Sequence, residues 1–228
     1  MTAWEPGPTA ANEPSPALEL RRRLTTGRAR FQVILATSLV WMMDTSLVGR
    51  LEHHHMVANT FSPLLNSMEQ ISTVLFLVVS LGLAVALYRS KTRALFLWSL
   101  IYLIFSLAQV VANVLSMVAT ASSVKGGGLT TLWDVAAVYM ESVVVFMFIY
   151  IFLDVTTPGG AFVWPSRDGE PAPTPHIIDY LFISLNVNST YGPTSEAVIS
   201  RAAKLFMALQ VLLAILMFTV LIARSVSA

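Results

Sequence analysis

Residues 179–195 read DYLFISLNVNSTYGPTS, and residues 196–228 continue EAVISRAAKLFMALQVLLAILMFTVLIARSVSA. The first stretch is a short apolar run followed by a polar turn of Ser189, Thr190, Tyr191, Gly192 and Pro193; the second is a long apolar run. A helix crossing the hydrocarbon core of a bilayer needs roughly 20 mostly apolar residues, because no water there can satisfy a backbone group left unpaired. The run 177–187, IIDYLFISLNV, is apolar yet too short to cross, whereas 202–223 is long enough. A short helix that enters the membrane and leaves it again accounts for the first, with a thin extra span over 177–193 as the alternative.

The rest of the chain fits the same solvent. Of 228 residues 55% are hydrophobic and only 12% charged, against about a quarter charged in soluble domains. Mean hydropathy is +0.69. The expected fold is an all-α integral membrane protein of about five transmembrane helices, with a short re-entrant segment before the last. Uncharged runs place spans at about 71–88, 95–119, 134–154 and 202–223. A fifth, 31–49, is interrupted by Asp44, so an interfacial helix competes with a span there.

Residues 1–28, rich in Pro and Ala and then in Arg, read as a mostly disordered tail rather than a cleaved signal peptide. Residues 29–125 form a membrane region of three spans, and 126–228 a unit of span, Pro/Gly-rich loop, short helix and final span. Gly126, Gly127 and Gly128 mark the turn between the two regions. With no cysteine there is no disulfide frame, thiolate metal site or cysteine nucleophile.

Basic residues near span ends stay on the cytoplasmic side. A cytoplasmic N-terminus puts Arg21, Arg22, Arg23, Arg28, Arg30, Arg89, Lys91, Arg93, Arg167, Arg201 and Lys204 inside, leaving Arg50, Lys125 and Arg224 outside. That predicts a multi-pass protein of the plasma (inner) membrane, with the turn at 189–193 on the cytoplasmic side.

Polar groups at membrane depth are costly and therefore informative. Asp134 and Glu141, two helical turns apart, share a face of the fourth span. They serve an ion or proton path, or else Asp134 caps the helix while Glu141 bonds to a neighbour. Gln109, Asn113 and Gln210 read as glue between helices before substrate contacts. In LEHHHMVANT (51–60) an extended chain aligns His53 with His55, a partial metal site set against an exposed polar loop. No metalloprotease, serine-hydrolase or phosphate-loop motif appears, so neither an enzyme nor a cofactor is expected, and nothing points to nucleic acid.

From about residue 134 onward the chain resembles the second half of a two-span potassium-channel pore unit. The residues that carry this are IDYLFISLNVNSTYGPTSEAVISRAAKLFMALQVLLAILMFTVLIARSVS (178–227). It is also similar to a family of bacterial multi-span membrane proteins sharing an Asp-Tyr start, a Ser-Pro-Thr or Gly-Pro-Thr turn and a basic start to the last helix. The resemblance implies a pore helix at 179–186, a filter-like turn at Ser189–Gly192 and an inner helix at 196–225. It implies an ion-channel-like protein, assembled as a homo-oligomer in the lipid bilayer and passing a monovalent ion. The turn departs from a potassium filter, which stacks carbonyls on paired glycines. Here Gly192 stands alone before Pro193, so conduction selective for potassium is not implied. Read on its own residues, YGPTSE is a turn and helix start, with Thr194 or Ser195 as the N-cap and Glu196 in the first turn. The alternative function is a non-conducting structural or sensory membrane protein that keeps the pore-unit fold.

Overall fold

The computed structural model describes residues 16–24, 38, 41–42, 67, 70–71, 73–75, 77–79, 81–82, 85, 92–120, 129–165, 172–189 and 196–226. Most of the expected 31–49 span, His53 and His55, the Gly126–Gly128 turn, and Thr190, Tyr191, Gly192 and Pro193 lie outside the described residues. The principal elements are helices α1 (Pro16–Leu24), α2 (Thr92–Thr120), α3 (Leu129–Thr156), α4 (Ile177–Asn188) and α5 (Arg201–Val226). Strands β1 (Phe162–Val163) and β2 (Ala197–Val198) complete them.

Among the described residues, three helical stretches are long and apolar enough to cross a membrane: Phe96–Val118, Val135–Thr156 and Arg201–Ala223. Helix α4 is apolar but too short.

Contacts fix the directions of the helices. Asn113 meets Glu141, and the Phe96 ring meets Phe152 with centroids 6.4 Å apart, so α2 and α3 are antiparallel. Tyr150 reaches Gln210 and Tyr139 packs on Phe218, so α5 is antiparallel to α3 as well. Along α4, Tyr180 meets Asp154 and Ser184 meets Val143, the same sense again. The starts of α2, α4 and α5 therefore lie at one end of the bundle, beside the end of α3, and α3 touches α1, α2, α4 and α5.

The surface is inverted relative to a water-soluble bundle. Leu97, Leu100, Ile101, Ile104 and Leu115 of α2 and Leu205, Leu212, Ile215, Phe218 and Ile222 of α5 are exposed. Ser106, Gln109, Asn113 and Ser116, spaced by three, four and three residues along one face of α2, are buried. Contiguous apolar surface of this extent, on helices long enough to cross a bilayer, suggests a membrane protein. The described residues between 71 and 85 follow the same rule, with Ile71, Val74, Leu77, Leu81 and Val85 outward and Val79 buried. Gly82 lies close to α2, where a Cβ would meet the Trp98 ring at 3.0 Å.

Three expectations need correction. Pro16–Leu24 is helical within the tail expected to be disordered. Pro suits the first helical position, Glu19 pairs with Arg22 at 3.0 Å, and Leu20 is buried in the core. Second, α3 begins at Leu129, ahead of Asp134, so Asp134 is not its cap. Third, the last helix begins at Arg201 and not at Glu196. Ala197 and Val198 instead pair antiparallel with Val163 and Phe162, Ile199 N–H donates to Ala161 O at 3.1 Å, and Ser200 Oγ accepts from Ala203 N–H at 3.5 Å, the place of an N-cap. Propensity and apolar periodicity read through a strand this short, because it is held by its partner rather than by its own pattern.

Candidate functional site

Two polar centres lie inside the bundle, and they differ in how completely their hydrogen bonds are made. The first is built on Asp154, in the last turn of α3. The helix ends in a turn where Gly160 N–H donates to Thr157 O at 3.0 Å, and Gly159 and Gly160 adopt φ of 80° and 91°, a region that favours glycine. That turn swings the chain back over Asp154. Asp154 Oδ1 accepts from Ala161 N–H at 2.6 Å and Phe162 N–H at 3.1 Å. Its Oδ2 accepts from Trp164 Nε1–H at 3.3 Å and Tyr180 O–H at 2.5 Å.

Aromatic rings shield the carboxylate. Phe162 packs on Tyr150, Trp164 and Tyr180 with centroids about 6 Å apart, and Trp164 meets Tyr180 at 5.3 Å. The Tyr180 hydroxyl is buried against the carboxylate and donates to it. Four donors occupy the acceptor sites of one carboxylate. This centre is saturated; it joins α3, β1 and α4 and has no acceptor left for a ligand.

The second centre spans the middle of the bundle. Gln210 of α5 accepts from Tyr150 O–H at 2.5 Å and donates through Nε2 to Ser184 O at 3.0 Å and Ser184 Oγ at 2.9 Å. Ser184 Oγ in turn donates to Val143 O at 2.8 Å. At the adjoining level Asn113 Nδ2 donates to Glu141 Oε2 at 3.3 Å, with Glu141 only 2% exposed. Here the bonds run out. Asn113 Oδ1, Ser142 Oγ, Asn186 Nδ2 and both side-chain polar atoms of Asn188 are buried without a hydrogen-bond partner. Since α4 runs antiparallel to α3, Asn188, one turn beyond Ser184, is carried toward the level of Ser142 and Glu141. Buried polar groups are nearly always paired, so these unpaired atoms, with the Asn113–Glu141 pair as the one bonded carboxylate near them in the chain, are the candidates for contact with a ligand.

The residues expected at a site are thus distributed unevenly. Asn113 and Glu141 come together, Gln210 joins α5 to α4 and α3, and Gln109 is buried on the same face of α2 as Asn113. Asp134 precedes the apolar stretch of α3 by one residue, and its side chain is outside the described residues, as are His53 and His55. Of the filter-like turn, Ser189 is described: its hydroxyl donates to Leu185 O at 2.8 Å and ends α4. Ser142, Ser184, Asn188 and the Asp154 centre escape sequence reading. Asp154 had a local signal, an acid five residues before a Gly-Gly turn and aromatic strand, whose N–H groups it could receive.

No family model, curated protein or solved structure matches the chain.

Proposed function

We propose that this chain is a channel-like integral membrane protein in which a monovalent cation is taken up by the polar interior of the bundle, at the level of Glu141. The observation that carries this reading is the buried Glu141 carboxylate, bonded to Asn113 and accompanied by unpaired buried polar atoms on α2, α3 and α4. Oxygen donors and a carboxylate at membrane depth replace the hydration shell of a hard cation. The polar face of α2 from Ser106 to Ser116 continues the path over about 15 Å at 1.5 Å rise per residue.

In this reading α4 is a re-entrant helix. Its loop leaves and returns at one end of the bundle, where β1 pairs with β2, which supports entry and exit on the same side. Five spans with a cytoplasmic N-terminus then put the Arg93, Arg201 and Lys204 end inside, in keeping with the charge bias. The resemblance to a potassium-channel pore unit enters here as layout: α3 as outer helix, α4 as pore helix, α5 as inner helix. Any oligomer packs through the apolar faces of α5, because the polar side chains are turned into the protomer. No catalytic role is proposed.

The test is flux of sodium or potassium into liposomes holding the purified protein. Wild type passes a monovalent cation, and Glu141→Gln lowers the rate by about tenfold or more, as expected when the barrier rises by over about 1.4 kcal/mol. Equal rates in the two proteins would overturn the assignment.

A second reading, a non-conducting structural or sensory membrane protein, is favoured by the outward face of α5. From Leu205 to Ile222 its exposed large side chains are apolar, and its one mid-span amide, Gln210, is fully bonded inward. Wild-type liposomes impermeable to monovalent cations under every gradient and voltage would select it.

A further inference from the structure

A shallow, open groove lies between α2, α3 and α5, and its walls are apolar. Leu100, Ile104 and Leu107 of α2, Ile149 and Phe152 of α3 and Phe206 of α5 form it. These positions fall in the early part of the α2 and α5 spans and the late part of the α3 span. The groove therefore occupies one leaflet, at the end of the bundle where α2 begins.

Two guanidinium groups stand at that end. Arg93 is exposed and precedes Leu100 by seven residues, two helical turns along the same face. It also precedes the first residue of the apolar stretch, Phe96, by three, which puts it at headgroup depth. Arg21 of α1, also exposed, holds its guanidinium 5.3 Å over the Phe96 ring. Phe96 in turn packs edge-on against Phe152 of the groove wall. An apolar slot at hydrocarbon depth, capped by two cations at the interface, matches the two halves of one molecule.

We infer that the groove binds one anionic phospholipid, with an acyl chain along Leu100, Ile104 and Phe152 and the phosphate between Arg21 and Arg93. The apolar walls would accept the chain of any lipid, and the arginines select charge. Guanidinium suits this role because its planar donors fit phosphate oxygens, and basic pockets between spans on the cytoplasmic side are where such headgroups are held.

The experiment is native mass spectrometry of the full chain in mild detergent, titrated with phosphatidylglycerol or with phosphatidylcholine of the same acyl chains. Wild type retains one phosphatidylglycerol per protomer about tenfold or more tightly than phosphatidylcholine, the scale expected for two interfacial cations. Arg21→Gln with Arg93→Gln abolishes the preference; both sites are exposed, so folding is unaffected. Ile104→Trp fills the slot and weakens retention of both lipids. Should that variant fail to fold, Leu100→Ala, which removes wall contacts, lowers phosphatidylglycerol retention instead. Equal retention of the two lipids by wild type overturns the inference, as does a preference that survives loss of both arginines. A protein dimer formed in place of the lipid adduct would assign the groove to a second copy and overturn it too.

Discussion

Asp154 and Glu141 are carboxylates on the same helix with opposite surroundings. Asp154 receives four donors and no acceptor. An amide in its place would turn an NH2 group toward groups that also donate. Asp154→Asn is therefore expected to destabilise the protein by about 3 kcal/mol or more, close to the loss in Asp154→Ala, because buried donors left unpaired cost about 1–3 kcal/mol each. Thermal unfolding in detergent checks this; an Asn variant as stable as wild type would mean that the four bonds do not hold the turn. Glu141 keeps its bond to Asn113 on the same exchange, since that amide can rotate to present Oδ1 to the new NH2 group. That difference makes Glu141→Gln a test of function and Asp154→Asn a test of fold.

At the scale of elements, the turn after α3 is set by glycine. Gly159 at φ 80° has open space around its Cβ position. Gly159→Ala thus meets only backbone strain, and a loss of about 1 kcal/mol follows, as for a non-glycine residue held in the left-handed region. Chemical denaturation in detergent measures it; a gain in stability would show that the turn relaxes to another conformation. The element record also shows what sequence carries. Runs of apolar residues mark α2, α3 and α5 to within a few residues, because length and hydropathy are imposed by the bilayer itself. The β1–β2 pair and the true start of α5 were illegible. Their cause is a contact between residues far apart in the chain, and nothing in AVIS (197–200) announces it. Glu141 and Asn113 were visible singly as polar residues in apolar runs, whereas their meeting, and the unpaired state of Ser142 and Asn188, depend on helix rotation and register.

At the scale of the whole molecule, polar side chains face inward and the basic residues Arg93, Arg201 and Lys204 lie at a single end. In the proposed orientation the positive-inside bias puts this end in the cytoplasm. Reporter fusions after Pro175 and after Ala228 are expected to read cytoplasmic and extracytoplasmic respectively. An extracytoplasmic Pro175 would invert the bundle and turn the end of α3 outward. The clip between β1 and β2 bears also on the order in which the chain is made. Val163 finds its partner only at Ala197, and Ser184 meets Gln210 only when the first half of α5 exists. In chain order, both partners of the α4–α3 contacts, Tyr180 with Asp154 and Ser184 with Val143, exist before α5 does. The polar pair on α3 thus acts as a provisional berth, and the helix is locked in place only after its successor has been synthesised.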